Sequence, residues 1–150
     1  MPAVHIVLVE PQIAPNTGNI ARTCVGLGLP LTLVGRLGFS LGEKELRRAG
    51  LDYWKHLELR LEPDIERYRD ELVAARPVLF TTRSSVRPWE IDLSEATHLC
   101  FGSETAGLPP EWHAMDCPKV GFPQTENVRS YNLASSVHSA AIEWVRQCGL

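Results

Sequence analysis

Short apolar runs alternate with segments of helical periodicity along the whole chain, and this alternation limits the folds that the sequence can adopt. It is typical of a mostly parallel sheet with helices on both faces, because each helix carries the chain back to begin the next strand. The predicted strands are residues 5–10, 31–35, 77–82, 97–102 and 119–123. We therefore expect an α/β fold, in one domain, since a chain of 150 residues is of ordinary single-domain size.

Helical signals occupy the segments between the predicted strands. Residues 16–18 (NTG) are typical of a helix cap and predict a helix from Asn19 to about Gly28, where glycine ends it. Further helices are predicted at 43–49, 63–76, 110–115 and 132–147. The second of these places Ile65, Tyr68, Leu72 and Val73 on one face, and the last places Leu133, Val137, Ala140, Ala141 and Trp144.

Segments rich in Asn, Gly, Thr and Pro follow three of the predicted strands. They span residues 10–19, 103–109 and 124–132, and they are longer than the usual connection of about 2 to 6 residues. Ligands of open parallel sheets bind beyond the carboxyl ends of the strands. These three loops are therefore the expected binding site.

Several common site motifs do not occur in the sequence. There is no phosphate-binding GxxxxGK[ST], and residues 26–28 (GLG) end a predicted helix instead of following a strand. Residues 38–42 (GFSLG) match the short GxSxG pattern, but nothing else in the sequence selects a Ser–His–Asp triad. The cysteines form no CxxC pair and the five histidines are scattered. We expect no metal site and reduced thiols at Cys24, Cys100, Cys117 and Cys148.

The net charge of −3 and the isoelectric point near 5.9 argue against a general nucleic-acid binder. Two local basic patches remain candidates: Lys44 with Arg47 and Arg48, and Arg83 with Arg87. The N-terminus lacks a basic start with a cleavage site, and no apolar run approaches the roughly 18 residues of a membrane helix. The expected location is the cytoplasm.

Four motifs, in this order along the chain, resemble those of the SPOUT superfamily of RNA methyltransferases. They are residues 16–22 (NTGNIAR), 47–53 (RRAGLDY), 101–109 (FGSETAGLP) and 129–137 (RSYNLASSV). Within the superfamily the chain is similar to the small tRNA 2′-O-methyltransferases that act on the wobble nucleotide, and residues 47–53 are similar to a segment specific to them. Ala106 departs from the pattern, because relatives often carry arginine there.

The resemblance implies a deep trefoil knot near the C-terminus, S-adenosylmethionine bound in the knot, a homodimer, and the anticodon loop of tRNA as substrate. Phe80, Gly102, Phe122, Ser130 and Leu133 would line the cofactor site. Asn16, Arg22, Glu104 and Asn132 would face the reacting centre or shape its loops. Arg47, Arg48 and Tyr53 would contact RNA.

Chemistry refines some of these roles. Arginine stays protonated at ordinary pH, so we expect Arg22 to hold a phosphate and stabilise the developing alkoxide, and not to act as a base. Glycine suits a close backbone approach to a ligand, so a valine at Gly102 is expected to enter the adenosine pocket. Glu104 could equally hold a loop amide, and Asn132 could cap the last helix.

Two other functions remain open from the sequence. One is methylation of another tRNA or rRNA ribose, and the other is a module of the same fold that binds RNA or a nucleotide without chemistry. For the homodimer, the candidate contacts on the last helix are Ala140, Ala141, Trp144 and Val145, unless these residues belong to the core.

Overall fold

The computed structural model describes residues 3–42 and 53–150. Within them, one sheet contains six strands, in the order β3-β2-β1-β5-β4-β6, and every pairing is parallel. The strands are β1 (His5–Val9), β2 (Leu31–Val34), β3 (Leu59–Glu62), β4 (Pro77–Phe80), β5 (His98–Phe101) and β6 (Lys119–Val120). The predicted parallel sheet is confirmed.

Helices cover both faces of this sheet, as predicted. The helices are α1 (Ala14–Leu27), α2 (Ile65–Val73), α3 (Pro110–His113) and α4 (Leu133–Cys148), with 3-10 turns at Trp54–His56, Pro88–Glu90 and Leu93–Glu95. Alternate residues of β1 divide the interior: Ile6 packs in one core with α1 and α4, and Val7 packs in the other with α2 and α3. The predicted inner face of the last helix is buried.

Helix α1 begins earlier than the sequence indicates, at Ala14 instead of Asn19. Residues 16–18 are buried within its first turns, so the prediction that they cap the helix is wrong. The earlier start suits Pro15, whose fixed φ is compatible with the first turn of a helix. The predicted C-terminal end is confirmed, since Gly28 adopts the left-handed conformation with φ 69°.

The other differences lie at the periphery. Strand β3 was not predicted, because it pairs only with β2 at the edge of the sheet and contains two charged residues among its four. Val73 was expected to face the core but is 75% exposed, since α2 ends there. The predicted helix at 43–49 lies outside the described residues.

All four cysteines are free, and two of them, Cys24 and Cys100, are buried. Among the described helices, none combines the length and apolar character needed to cross a membrane.

Candidate active site

A cavity of about 360 Å³ lies beyond the carboxyl ends of β4, β5 and β6. Its volume is within the range of small-molecule sites. The structure brings all five residues expected at the cofactor site to its wall: Phe80, Gly102, Phe122, Ser130 and Leu133. Because they come from three strand ends and from the start of α4, the parallel topology is what gathers them.

One part of the cavity wall is aromatic and the other part is polar. The Phe80 ring stacks on Phe101 with centroids 4.7 Å apart and lies 5.8 Å from the Phe122 centroid. The polar part of the wall includes residues of the segment 102–107 together with Arg83 and Arg129. The cavity therefore suits a ligand that combines a flat apolar ring with polar or charged groups.

Residues 103–107 form a tight hairpin over the cavity. Ser103 and Gly107 exchange two backbone hydrogen bonds, at 3.3 and 3.1 Å, and the Ala106 N–H donates to Ser103 Oγ at 3.1 Å. Gly102 lies directly beneath this hairpin: a Cβ there would be 2.0 Å from the Gly107 carbonyl carbon and 2.1 Å from Leu108 N. The expectation that a side chain at Gly102 enters the adenosine pocket is therefore wrong, because its first carbon meets the loop backbone.

The Glu104 carboxylate joins this hairpin to the start of α1. It accepts hydrogen bonds from the N–H groups of Gln12 and Ile13, both at 2.8 Å, and from the Asn16 amide at 3.2 Å. The residue that caps α1, Ile13, has no side-chain oxygen, so the carboxylate takes over part of the capping of the helix start.

Asn132 extends the network to the third loop. Its amide donates to Asn16 Oδ1 at 3.0 Å, and its own oxygen accepts from the Ser135 N–H at 3.2 Å as the N-cap of α4. Asn16, Glu104 and Asn132 thus connect the three loops of the predicted site. Of the two roles considered for these residues, the geometry favours shaping the loops, because their side chains bond to one another and to backbone N–H groups.

Arg22 lies apart from this network. Asn16 and Arg22 are six residues apart on α1, or roughly 9 Å along its axis. Arg22 is exposed and does not line the cavity. Its guanidinium carbon is instead 5.7 Å from the centroid of the Tyr53 ring. Within one chain, the structure does not bring the predicted catalytic arginine to the predicted cofactor site.

Of the two predicted basic patches, the structure describes one. Lys44, Arg47 and Arg48 lie outside the described residues. Arg83 lines the cavity, whereas Arg87 donates to the Gly121 carbonyl at 3.0 Å. Within residues 3–42 and 53–150, no three His, Cys, Asp or Glu side chains are grouped as metal ligands.

Sequence reasoning missed two features of the cavity wall. Gly121 lies there, at the strand end of β6. His113, at the end of α3, also lines the wall. Burial and then the positive charges of Arg83 and Lys119 lower the pKa of His113, which favours a neutral imidazole beside the cavity. Neither residue lies in one of the four sequence motifs.

We expect Glu104→Ala to destabilise the protein by about 2–4 kcal/mol, because it leaves two backbone N–H groups and an amide without their acceptor. Glu104→Gln keeps one acceptor oxygen and should lie between the alanine variant and the original protein. Urea unfolding measures the difference. Glu126→Ala, which removes an exposed carboxylate from the loop after β6, is the matched control and should be neutral. Equal stability of the two alanine variants would contradict the role given to the Glu104 network.

Comparisons with known proteins agree on one family and one fold. The model of the SpoU rRNA Methylase family matches residues 3–141. A tRNA (cytidine(34)-2′-O)-methyltransferase of Methylovorus glucosotrophus is 41% identical over 144 residues, with 95% of this chain and 94% of that protein covered. A structure that concerns the 2-OH methylation of C/U34 on tRNA superposes with a TM-score of 0.91 at 42% identity, covering 98% of this chain and 97% of the other. An AdoMet-bound rRNA methyltransferase of Sinorhizobium meliloti superposes with a TM-score of 0.87 at 25% identity, covering 96% of this chain and 56% of the other.

Proposed function

The chain belongs to the SpoU rRNA methylase family, and we propose that it transfers the methyl group of S-adenosylmethionine to the ribose 2′-hydroxyl of the wobble nucleotide, position 34, of tRNA. The observation that carries this proposal is the cavity at the strand ends, whose wall includes residues of two of the four motifs, 101–109 and 129–137. Relatives that match nearly the whole chain are named for this reaction. We include a cytoplasmic location in this proposal.

The cavity fits S-adenosylmethionine by size and by chemistry. The Phe80, Phe101 and Phe122 rings offer an apolar surface for adenine, and the backbone of residues 102–107 offers uncharged donors and acceptors. The polar end with Ser130 and Arg129 suits the charged methionine part. When bound, the sulfonium supplies a methyl group that is already activated for displacement.

The residues of the chain have to align the attacking oxygen and stabilise the charge that develops on it. Arg22 holds the phosphate next to the target ribose and lowers the energy of the developing alkoxide. Because arginine stays protonated, the proton of the 2′-hydroxyl passes to that phosphate or to water. Asn16, Glu104 and Asn132 fix the loops that orient the two reactants, and such alignment is worth several kcal/mol.

We also propose that the C-terminal part of the chain is knotted. Gly121, at the end of β6, supports this, since a Cβ there would lie 2.5 Å from Thr81 O and 2.8 Å from Ser84 O. Gly121 also donates to Val86 O at 2.8 Å and accepts from Arg87 Nη1 at 3.0 Å. Residues 81–87 therefore contact Gly121 on several sides, which is the close crossing expected where a later segment passes through an earlier loop.

A homodimer completes the proposed site. Ala140, Ala141 and Trp144 are almost fully buried within one subunit, so the expectation that they form the dimer contact is wrong. Val145 is half-buried against the same core. An apolar groove beside them is a better interface. It is lined by Trp89, Phe122, Pro123, Tyr131 and Ile142 together with polar residues of α4.

This groove lies beside the cofactor cavity and beside the helix α1 that carries Arg22. Phe122 and Tyr131 belong to its wall and to the wall of the cofactor cavity. His138, also in its wall, lies 3.0 Å from Thr23 Oγ1, next to Arg22 on α1. A second copy on this groove would bring the partner's Arg22 toward the cavity, from which Arg22 of the same chain is absent.

We expect light scattering to give a mass of twice 16.7 kDa for the protein. Ile142→Asp should shift this mass toward the monomer, because it places a charge in the apolar groove. Val73→Asp, at an exposed position on the opposite side of the sheet, is the matched control and should stay dimeric. A monomeric original protein would contradict the homodimer, and a dimeric Ile142→Asp would contradict this interface.

The test of the proposed function is methylation of purified tRNAs with labelled S-adenosylmethionine, followed by nucleoside mapping, with and without a chelator. We expect label on the ribose of nucleotide 34, to the same extent in both conditions. Label on a base, on a ribose elsewhere, or only when metal is present would overturn the proposal. Heat on titration with S-adenosylmethionine separates an enzyme from a module that binds RNA alone.

A further inference from the structure

Arg22 has an unusual setting for a functional cation. It is exposed on α1, and within the described part of the chain its side chain forms no ion pair and donates no hydrogen bond to protein. The guanidinium instead packs against an aromatic ring, that of Tyr53, at 5.7 Å from carbon to centroid. This distance is within the range of a cation–π interaction.

Tyr53 is itself held against α1 at a second point. Its hydroxyl donates to the Gly18 carbonyl at 3.3 Å, and its ring packs partly buried against the core that contains α1 and α4. Gly18 and Arg22 are four residues apart and therefore lie on the same face of the helix. Tyr53 thus lies across one turn of α1, bonded at one end of the turn and stacked under the arginine at the other.

The choice of an aromatic partner has a chemical consequence. A carboxylate would orient Arg22 but would also neutralise its charge and use its N–H donors. An aromatic ring interacts with the flat face of the guanidinium and leaves the five donors at its edge available. An arginine held in this way keeps its charge and its donors for an anion that arrives from outside the protein.

We propose that Tyr53 is a positioning residue that pre-orients Arg22 for a substrate phosphate, and not a platform on which an RNA base stacks. The proposal rests on the methyl-transfer function assigned to Arg22 above. It reassigns Tyr53 from the RNA contacts expected from the sequence to a contact within the protein.

Variants at Tyr53 separate the two contacts. Tyr53→Leu removes the ring, and we expect kcat for tRNA methylation to fall about tenfold with unchanged S-adenosylmethionine affinity. Tyr53→Phe keeps the ring and loses the hydroxyl that donates to Gly18, so its kcat should fall no more than about threefold. Trp54→Leu is the matched control, because Trp54 packs partly buried against the same core, and the described structure gives it no contact with Arg22.

A second measurement does not depend on activity. The ring current of Tyr53 should displace the NMR signal of the Arg22 Nε–H group, and this displacement should persist in Tyr53→Phe and disappear in Tyr53→Leu. Full turnover in Tyr53→Leu, or an equal loss in Trp54→Leu, would overturn the proposal. Absence of methylation by the unaltered protein would overturn the proposed function instead, and the Arg22 signal would still decide whether Tyr53 positions the arginine.

Discussion

Arg22→Ala should reduce methylation of tRNA by at least about 100-fold, the usual loss when a preorganised donor to a developing oxyanion is removed. S-adenosylmethionine binding should be unaffected, because Arg22 does not line the cavity of its own chain and, across the proposed interface, it contacts the substrate phosphate and not the cofactor. Stability should change little for the same reason, since the described structure gives the side chain no hydrogen bond or ion pair to lose. Single-turnover methylation and calorimetry with the cofactor measure the two effects separately.

Arg22→Lys distinguishes the geometry of this residue from its charge. A lysine keeps the positive charge but offers one ammonium in place of a planar fork of donors, and it stacks less well on the Tyr53 ring. We therefore expect the lysine variant to fail nearly as completely as the alanine variant. Normal turnover of the lysine variant would leave only a diffuse effect of charge. Normal turnover of the alanine variant would remove Arg22 from the mechanism.

Mixing subunits tests whether Arg22 serves the partner's cavity. A heterodimer that combines an Arg22→Ala subunit with a subunit unable to bind S-adenosylmethionine keeps one site complete if the arginine acts across the interface. Under the proposed arrangement, such mixtures should recover part of the activity that both parents lack. Recovery would not occur if Arg22 and the cavity of one chain formed a self-contained site.

The sheet was predictable because its signal is local and repeated. Strands buried on both faces, such as β1 and β5, are continuous apolar runs, and the helices between them follow a 3.6-residue period. Strand β3 carries no such run, since an edge strand needs fewer apolar residues. The start of α1 was misplaced because the group that helps to cap it, Glu104, is distant in sequence from Ile13.

The loops of the site were predictable, but the division of roles within them was not. The motifs at 101–109 and 129–137 placed Gly102 and Leu133 at one cavity, together with Phe80 at the end of β4. The same motifs could not show that Glu104 and Asn16 bond to each other, because this contact spans 88 residues of sequence. The distance of Arg22 from the cavity was equally hidden, since it depends on which turn of α1 faces the hairpin at 103–107.

Gly102→Ala tests the most crowded point of the proposed cofactor site. The added Cβ would lie 2.0 Å from the Gly107 carbonyl carbon and 2.4 Å from its oxygen, and these are backbone atoms that cannot rotate away. The hairpin at 103–107 must therefore move, which will also pull Glu104 from the N–H groups of Gln12 and Ile13. Overpacking of this kind costs about 1–3 kcal/mol.

Because the hairpin forms one wall of the cavity, we expect S-adenosylmethionine affinity to fall at least about tenfold in Gly102→Ala, with a lower melting temperature. Gly26→Ala is the matched control. Gly26 lies in helix α1, and a Cβ there would have no neighbouring atom within 4 Å, so stability should be unchanged or slightly higher. Calorimetry and thermal unfolding of both variants provide the comparison. A folded Gly102→Ala protein with the original dissociation constant would show that the cofactor binds elsewhere, since no ligand could remain in contact with this hairpin and be insensitive to its displacement.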